Sequence, residues 1–390
     1  MYDFSTSASR ENTNAEKYTA RKRLFGTENI MPVWVADMDI DTPYFIFEDI
    51  KKRCEHTILG YEEVPISAFK AQVDWMKKTH GVEMEVENLI YSHSVVASIN
   101  VAIEAFTNEG DNIIVQTPVY PPFFQSIERH NRELLENKLV LKENGKYGFD
   151  LEDLKSKIND KTKLLLLCSP HNPVGRVWTQ EELTELLDIC IKNNIVVFSD
   201  EIHSDLVYAP NKHISFSSLN DKAKEISVTA IGVGKSFNLA GVSMSSVYIA
   251  NKELQEKFLK VYKKHHFADG SVLSHVAFES AYKNGKEWVE ELKVHLYKNY
   301  EMLDTVCKKY PKKIKLIPIE ATYLAWLDCR GMQLDDRQLK DFFVKDAKLG
   351  LNPGLGFGDN GSGFMRLNFA VSTEMMEEVI HRLDKGLESQ

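Results

Sequence analysis

Short, unbroken apolar runs recur through the first three-quarters of the chain, each closed by a polar or glycine-rich break. The clearest are NIIVQ (112–116), KLLLLC (163–168), IVVFS (195–199), EISVTA (225–230) and SSVYIA (245–250). Runs of this kind suit strands buried on both faces. Between two of them lies a helical stretch that opens at Thr179, with Glu182 placed to complete a capping box. From about residue 45 to 285, strands alternate with helices, which predicts a mostly parallel sheet flanked by helices. After Lys286 the pattern changes to a long charged helix, strands at KIKLIP (313–318) and TYLAWLDC (322–329), and a helix around 334–346. A strand at FMRLNF (364–369) and a helix from Thr373 follow. The expected architecture is therefore α/β: a large domain over 45–285, plus a smaller α+β domain built from 1–44 and 286–390.

A chain of 390 residues exceeds what one hydrophobic core normally supports, in keeping with two domains. Its net charge of -9 argues against nucleic acid as a partner, because phosphate neutralisation needs clustered Lys and Arg. The basic runs 308–315 and 260–266 read as solvated helix faces. Five scattered cysteines, without a zinc-like or redox-like pair, suit a reducing compartment. No segment reaches the roughly 18–20 apolar residues that span a bilayer, and the N-terminal stretch lacks the apolar centre of a signal peptide. The expectation is a cytoplasmic protein without membrane contact.

Ligands of parallel sheets bind beyond the carboxyl ends of the strands. Four segments stand there: TPVYPPF with Tyr120, SPHNPVG with Asn172, DEIH with Asp200, and GVGKSFNLAG with Lys235. Asp200 alone reads equally well as a helix cap. The group Asp200, Glu201 and His203 lacks the further ligands a metal site needs, so no metal is expected. Lys235 follows a strand and sits among Gly232, Gly234 and Gly241, where the backbone is free to approach a ligand closely.

These segments, with VWVADMD (33–39), LGY (59–61), KSFNLAG (235–241), ATYLAWLDCRG (321–331), NPGLGFG (352–358) and GFMRLNFA (363–370), resemble the class I/II aminotransferases among fold type I pyridoxal-phosphate enzymes. Within that group the chain resembles the MalY/PatB family of cystathionine β-lyases. The resemblance implies the cofactor pyridoxal 5'-phosphate, bound as a Schiff base to Lys235, which also acts as the catalytic base. It makes Asp200 the partner of the pyridine nitrogen, Asn172 and His203 donors to the ring hydroxyl oxygen, and Tyr120 the plate stacked on the ring. For Tyr120, simple loop packing is the alternative. Arg366 resembles the arginine that grips the substrate carboxylate, with Tyr120 and Asn172 beside it, unless it pairs with a buried acid instead. Tyr61 resembles the residue that reaches the cofactor phosphate of a neighbouring subunit, implying a homodimer with shared active sites.

At the phosphate the pattern departs from the family. Gly234 and Gly232 replace the usual serines, and Ser243 stands where many relatives carry an arginine. A helix beginning near Ser94 offers backbone N–H groups, at Val95 and Val96, and its positive dipole end. Ser92, Ser236 and Ser243 are the candidate hydroxyl substitutes. Trp34, Asp37 and Tyr323 fall in segments that line the pocket for the β-substituent or merely pack the smaller domain. The implied reaction is β-elimination from L-cystathionine or another cysteine S-conjugate, giving a thiol, pyruvate and ammonia. The alternatives are transamination of amino acids and a regulatory binding protein on the same fold.

Overall fold

The computed structural model describes residues 2–267 and 269–390. Its largest sheet has seven strands: β1 (Leu89–Ser92), β2 (Asn112–Thr117), β3 (Glu133–Lys138), β4 (Thr162–Cys168), β5 (Val196–Asp200), β6 (Ser227–Gly232) and β7 (Ser245–Tyr248). Their spatial order is β1-β7-β6-β5-β4-β2-β3. β3, β2, β4, β5 and β6 pair in parallel, and β7 runs antiparallel to both of its neighbours. The mostly parallel α/β sheet expected from the apolar runs is the one observed.

The β4 leucines explain why this sheet is the centre of the molecule. Leu164, Leu165, Leu166 and Leu167 point alternately to the two faces and are all fully buried. Each such side chain contributes about 1.5–3 kcal/mol relative to exposure. The helix after β4, Gln180–Lys192, opens on the expected capping box: the Thr179 hydroxyl accepts from Glu182 N–H, and the Glu182 carboxylate accepts from Thr179 N–H. Leu183, Leu186 and Leu187 bury its inner face on the sheet.

A second sheet carries β8 (Lys315–Leu316), β9 (Leu324–Asp328), β10 (Asn352–Pro353) and β11 (Phe364–Asn368) in the order β8-β9-β11-β10, all antiparallel. The helices Lys286–Lys309 and Thr373–Ser389 pack beside it. The N-terminal arm joins this part of the chain: Met31–Pro32 pairs in parallel with Leu349–Gly350, and Asp39 bridges to Val371.

Several expected elements shift. EISVTA starts later, at Ser227, because Asn220 caps a short helix, Asp221–Ile226, which takes up the first two residues. KIKLIP contracts to Lys315–Leu316, where Pro318 has no N–H to extend the ladder. Three strands lacked a legible pattern: β1 and β10 are short, and β3 is a polar edge strand whose ELLENK sequence is half exposed.

Candidate active site

Because β2, β4, β5 and β6 run parallel, their carboxyl ends open at one side of the sheet. Cys168 at the end of β4 lies opposite Asp200 at the end of β5, and Asp200 lies opposite Ala230 of β6. The Tyr120 N–H donates to the Asn172 carbonyl over 3.2 Å, tying the loops after β2 and β4 together. An inner cavity of about 180 Å³ forms there, lined by Tyr120, Asn172, Asp200, His203 and Lys235. Val95, Val96 and Ser243 line it as well. An outer cleft of about 760 Å³ adjoins it through Tyr120 and Lys235, and is bounded by Trp34, Asp37, Asn352 and Arg366.

Lys235 Nζ donates to the Ala36 carbonyl at 2.6 Å. Burial, then the positive charge of Arg366, pulls its pKa down to about 8, against the opposing pull of Asp37 and Asp200. The amine thus reaches its neutral, proton-accepting form near physiological pH. Asp200 is shifted the other way. Burial pushes its carboxyl up to about 7, only partly offset by the Ile202 N–H, which donates to Oδ1 at 3.1 Å, and by Lys235. A buried carboxylate with so few partners suits a cationic or N–H-bearing group placed opposite it.

His203 is buried with its ring edge-on to Tyr323, 5.9 Å between centroids. Burial and the charges of Lys235 and Arg366 hold its pKa well below the ordinary imidazole value, so it is neutral. Its Nδ1 has no hydrogen-bond partner. Because His203 also lines the inner cavity, this nitrogen is available to a bound polar group.

Arg366, in β11, is 4% exposed. Its Nη2 donates to the Trp34 carbonyl (2.9 Å) and Asn352 Oδ1 (2.8 Å), and its Nη1 to Asn172 Oδ1 (3.1 Å). The guanidinium lies 4.8 Å from the Phe357 ring centroid. Burial lowers its pKa to about 10, which leaves it charged at neutral pH. Among the described residues no carboxylate pairs with it, which removes the buried-acid alternative. A rigidly held guanidinium without a counter-ion in a cleft is built to receive a carboxylate.

The groups expected to take the phosphate differ in what they offer. Ser94 caps the helix Val95–Phe106, its hydroxyl accepting from Ala97 N–H. The Val95 and Val96 N–H groups, in the first turn, have no intrahelical acceptor. Ser236 does not serve the cavity: its hydroxyl donates to Asp205 Oδ2 at 2.6 Å. Ser92 is likewise engaged, with the Ser94 carbonyl and Ser98. Of the three candidate substitutes, Ser243 alone lines the cavity, with its backbone in the left-handed region at φ 54°. Ser245, not singled out from the sequence, lines it too. This set of donors, with the orphaned His203 nitrogen, fits pyridoxal phosphate. Tyr61 stands apart: it is fully exposed and borders neither cavity of its own chain.

Trp34 and Asp37 do line the outer cleft, whereas Tyr323 is fully buried and donates to the Ala36 carbonyl at 2.8 Å. That carbonyl, shared by Lys235 and Tyr323, left no trace in the sequence, since a main-chain acceptor has no residue signature. Asn352, which braces Arg366 from β10, opens the NPGLGFG segment but was not singled out within it. Below the cleft, Lys17 is fully buried and paired with Asp37 (2.8 Å) and Asp39 (2.7 Å), and Arg10 adds pairs to both. Burial pushes the Asp37 carboxyl up, but Arg10 and Lys17 outweigh it and hold it below the usual range.

The sheet order, the parallel carboxyl ends and a half-buried lysine sharing a cavity with a buried aspartate place this protein among enzymes with aminotransferase architecture. The chain belongs to the aminotransferase class I and II family, whose model matches residues 42–383. It is 36% identical over 386 residues to the cystathionine β-lyase PatB of Bacillus subtilis strain 168, covering 99% of this chain and 100% of that protein. The structure of cystalysin from Treponema denticola, which contains a pyridoxal 5'-phosphate cofactor, superposes with a TM-score of 0.96. Its identity is 33%, and the match covers 100% of this chain and 99% of the other. The pyridoxal-phosphate-bound C–S lyase of Staphylococcus hominis gives 0.90 at 31% identity, over 99% and 98% of the two chains. The resemblance drawn from the motifs, and the fold it implied, are borne out. No helix among the described residues is long and apolar enough to cross a membrane.

Proposed function

We propose that this chain is a pyridoxal-phosphate-dependent C–S β-lyase, cleaving L-cystathionine or related cysteine S-conjugates to a thiol, pyruvate and ammonia. The observation that carries this reading is one lysine, pulled to about 8, that lines one cavity with the buried Asp200 and the adjoining cleft with the uncompensated Arg366. The curated and structural relatives named as cystathionine β-lyase or C–S lyase support the choice of reaction.

When bound, the cofactor supplies an aldehyde and a ring able to delocalise negative charge from the substrate α-carbon. Asp200 would hold the proton on the ring nitrogen and so keep that ring electron-poor. Asn172 and His203 would hold the ring oxygen, and Tyr120 would cover the ring. Val95, Val96 and Ser243 would hold the phosphate. Arg366 grips the substrate carboxylate and thereby fixes which bond at the α-carbon faces Lys235. The Lys235 amine takes the α-proton, and loss of that proton expels the thiolate from the β-carbon. The thioether chain extends into the outer cleft.

We further infer a cytoplasmic homodimer. Tyr44, Phe47, Ile58, Leu59, Tyr61 and Ile66 are all exposed apolar residues in neighbouring stretches of sequence, the kind of surface a second subunit covers. In that assembly Tyr61 reaches the phosphate of the adjacent subunit. Mixing Lys235→Ala and Tyr61→Ala subunits then restores activity that neither variant has alone.

The deciding assay is pyruvate release from L-cystathionine with no keto-acid acceptor present. Amino transfer to 2-oxoglutarate without pyruvate would replace the lyase by an aminotransferase. Lys235→Ala should remove either activity; a biological effect that survived this change would favour a regulatory binding role.

A further inference from the structure

The outer cleft is wider than its chemistry at the Lys235 end requires. At about 760 Å³ it is the size of a site for a drug-sized ligand, well beyond what cysteine alone fills. Its lining carries both signs of charge: Arg366 and Lys235, and two acids, Glu16 and Asp37. Asp37 is already neutralised by Arg10 and Lys17. Glu16 is exposed, its carboxylate makes no hydrogen bond or ion pair with any described residue, and its charge reaches Tyr120, whose phenol it helps to raise.

Glu16 is not a loose surface acid. It opens the helical turn Glu16–Thr19, and the next residue, Lys17, is 0% exposed and clamped by Asp37 and Asp39. The Lys17 carbonyl also accepts from Trp34 Nε1 at 3.1 Å, and Trp34 lines the same cleft. The backbone that carries Glu16 is therefore fixed at the rim by buried contacts, while its carboxylate stays free.

We propose that Glu16 is a specificity residue that selects thioethers whose β-substituent ends in a cation. A substrate would lie with its α-carboxylate on Arg366 and its distal ammonium toward Glu16, with the aromatic face of Trp34 alongside. The proposal deepens the lyase reading and depends on it for the identity of the substrate, but the binding arm of its test does not.

The test compares S-(2-aminoethyl)-L-cysteine with S-propyl-L-cysteine, which match in length and differ in the terminal charge. Pyruvate release should give a ratio of kcat/KM in favour of the amine, and Glu16→Gln should reduce that ratio about five-fold, the size of a partly solvated ion pair. Glu16→Lys should invert the preference. In parallel, the dissociation constants of L-lysine and L-2-aminoheptanoate, which lack a β-leaving group, are measured by absorbance titration of the holoenzyme. L-Lysine should bind more tightly, and Glu16→Gln should erase the difference. If no thioether yields pyruvate but this binding difference appears, the lyase reading fails and the role of Glu16 stands. If pyruvate forms while both ratios are the same in wild type and Glu16→Gln, the role of Glu16 is refuted and the lyase reading stands.

Discussion

Gly234 offers the sharpest test of how the cofactor phosphate is held. It lines the inner cavity immediately before Lys235, where a serine would be the ordinary hydroxyl donor. A Cβ added at Gly234 would meet nothing closer than Ala240 Cα at 3.7 Å, and Gly234 is not among the positive-φ glycines. Gly234→Ser is thus accommodated without strain. One hydroxyl hydrogen bond to a charged phosphate is worth about 1.5–3 kcal/mol, so pyridoxal phosphate should be retained roughly 10- to 150-fold more tightly. Gly232→Ser is the contrasting change: there a Cβ would lie 3.0 Å from both Ile202 Cδ1 and Ser245 Cβ. It should destabilise the fold by about 1–3 kcal/mol. The assay is dialysis of each holoenzyme against cofactor-free buffer, with bound cofactor followed by absorbance and activity regained on adding pyridoxal phosphate. Wild type should lose activity and recover it, and Gly234→Ser should lose it much more slowly. Equal retention in a well-folded Gly234→Ser protein would refute the assignment of the phosphate to this end of the cavity.

Asp200→Asn should remove lyase activity and stabilise the cofactor-free protein. Because the folded carboxyl is raised to about 7 from an ordinary value near 4, its contribution is present in acid and lost as pH rises through about 7. Thermal unfolding of the two apo-proteins should therefore differ by roughly 2–4 kcal/mol at pH 8 and converge toward pH 4; a constant difference across that range would contradict the shift. Arg366→Lys should lower kcat/KM by about a hundredfold, since an ammonium cannot give two parallel bonds to a carboxylate while keeping contacts to Trp34, Asn172 and Asn352. A change confined to less than threefold would exclude Arg366 from carboxylate binding. Asn352→Ala removes one of those braces and should raise KM about fivefold, measured by the same pyruvate assay.

The residues legible in the sequence are those whose type and position both carried information. Tyr120, Asn172 and Lys235 each follow a buried strand and Asp200 ends one, and parallel pairing brings them together without further instruction. Arg366 was legible as a candidate, but whether an acid stood opposite depended on long-range packing. The serines were harder. Ser236 looked available beside Lys235, yet Asp205, 31 residues away, takes its hydroxyl, while Ser92 is absorbed by its own loop. Glu16 and Lys17 gave no signal, because one turn of helix far from the other motifs reads as an ordinary charged surface. β3 escaped for a similar reason: an edge strand with polar outward positions lacks the apolar run that marked its neighbours.

The lowered basicity of Lys235 also has a practical consequence for chemical labelling. Amine-directed reagents attack the uncharged form, and burial shifts the Lys235 amine toward that form. In cofactor-free protein near pH 8, a reagent small enough to enter the cleft should modify Lys235 ahead of the surface lysines. Pyridoxal phosphate, by occupying that amine, should protect it. Peptide mass mapping with and without the cofactor would then count occupied sites directly, independent of any substrate.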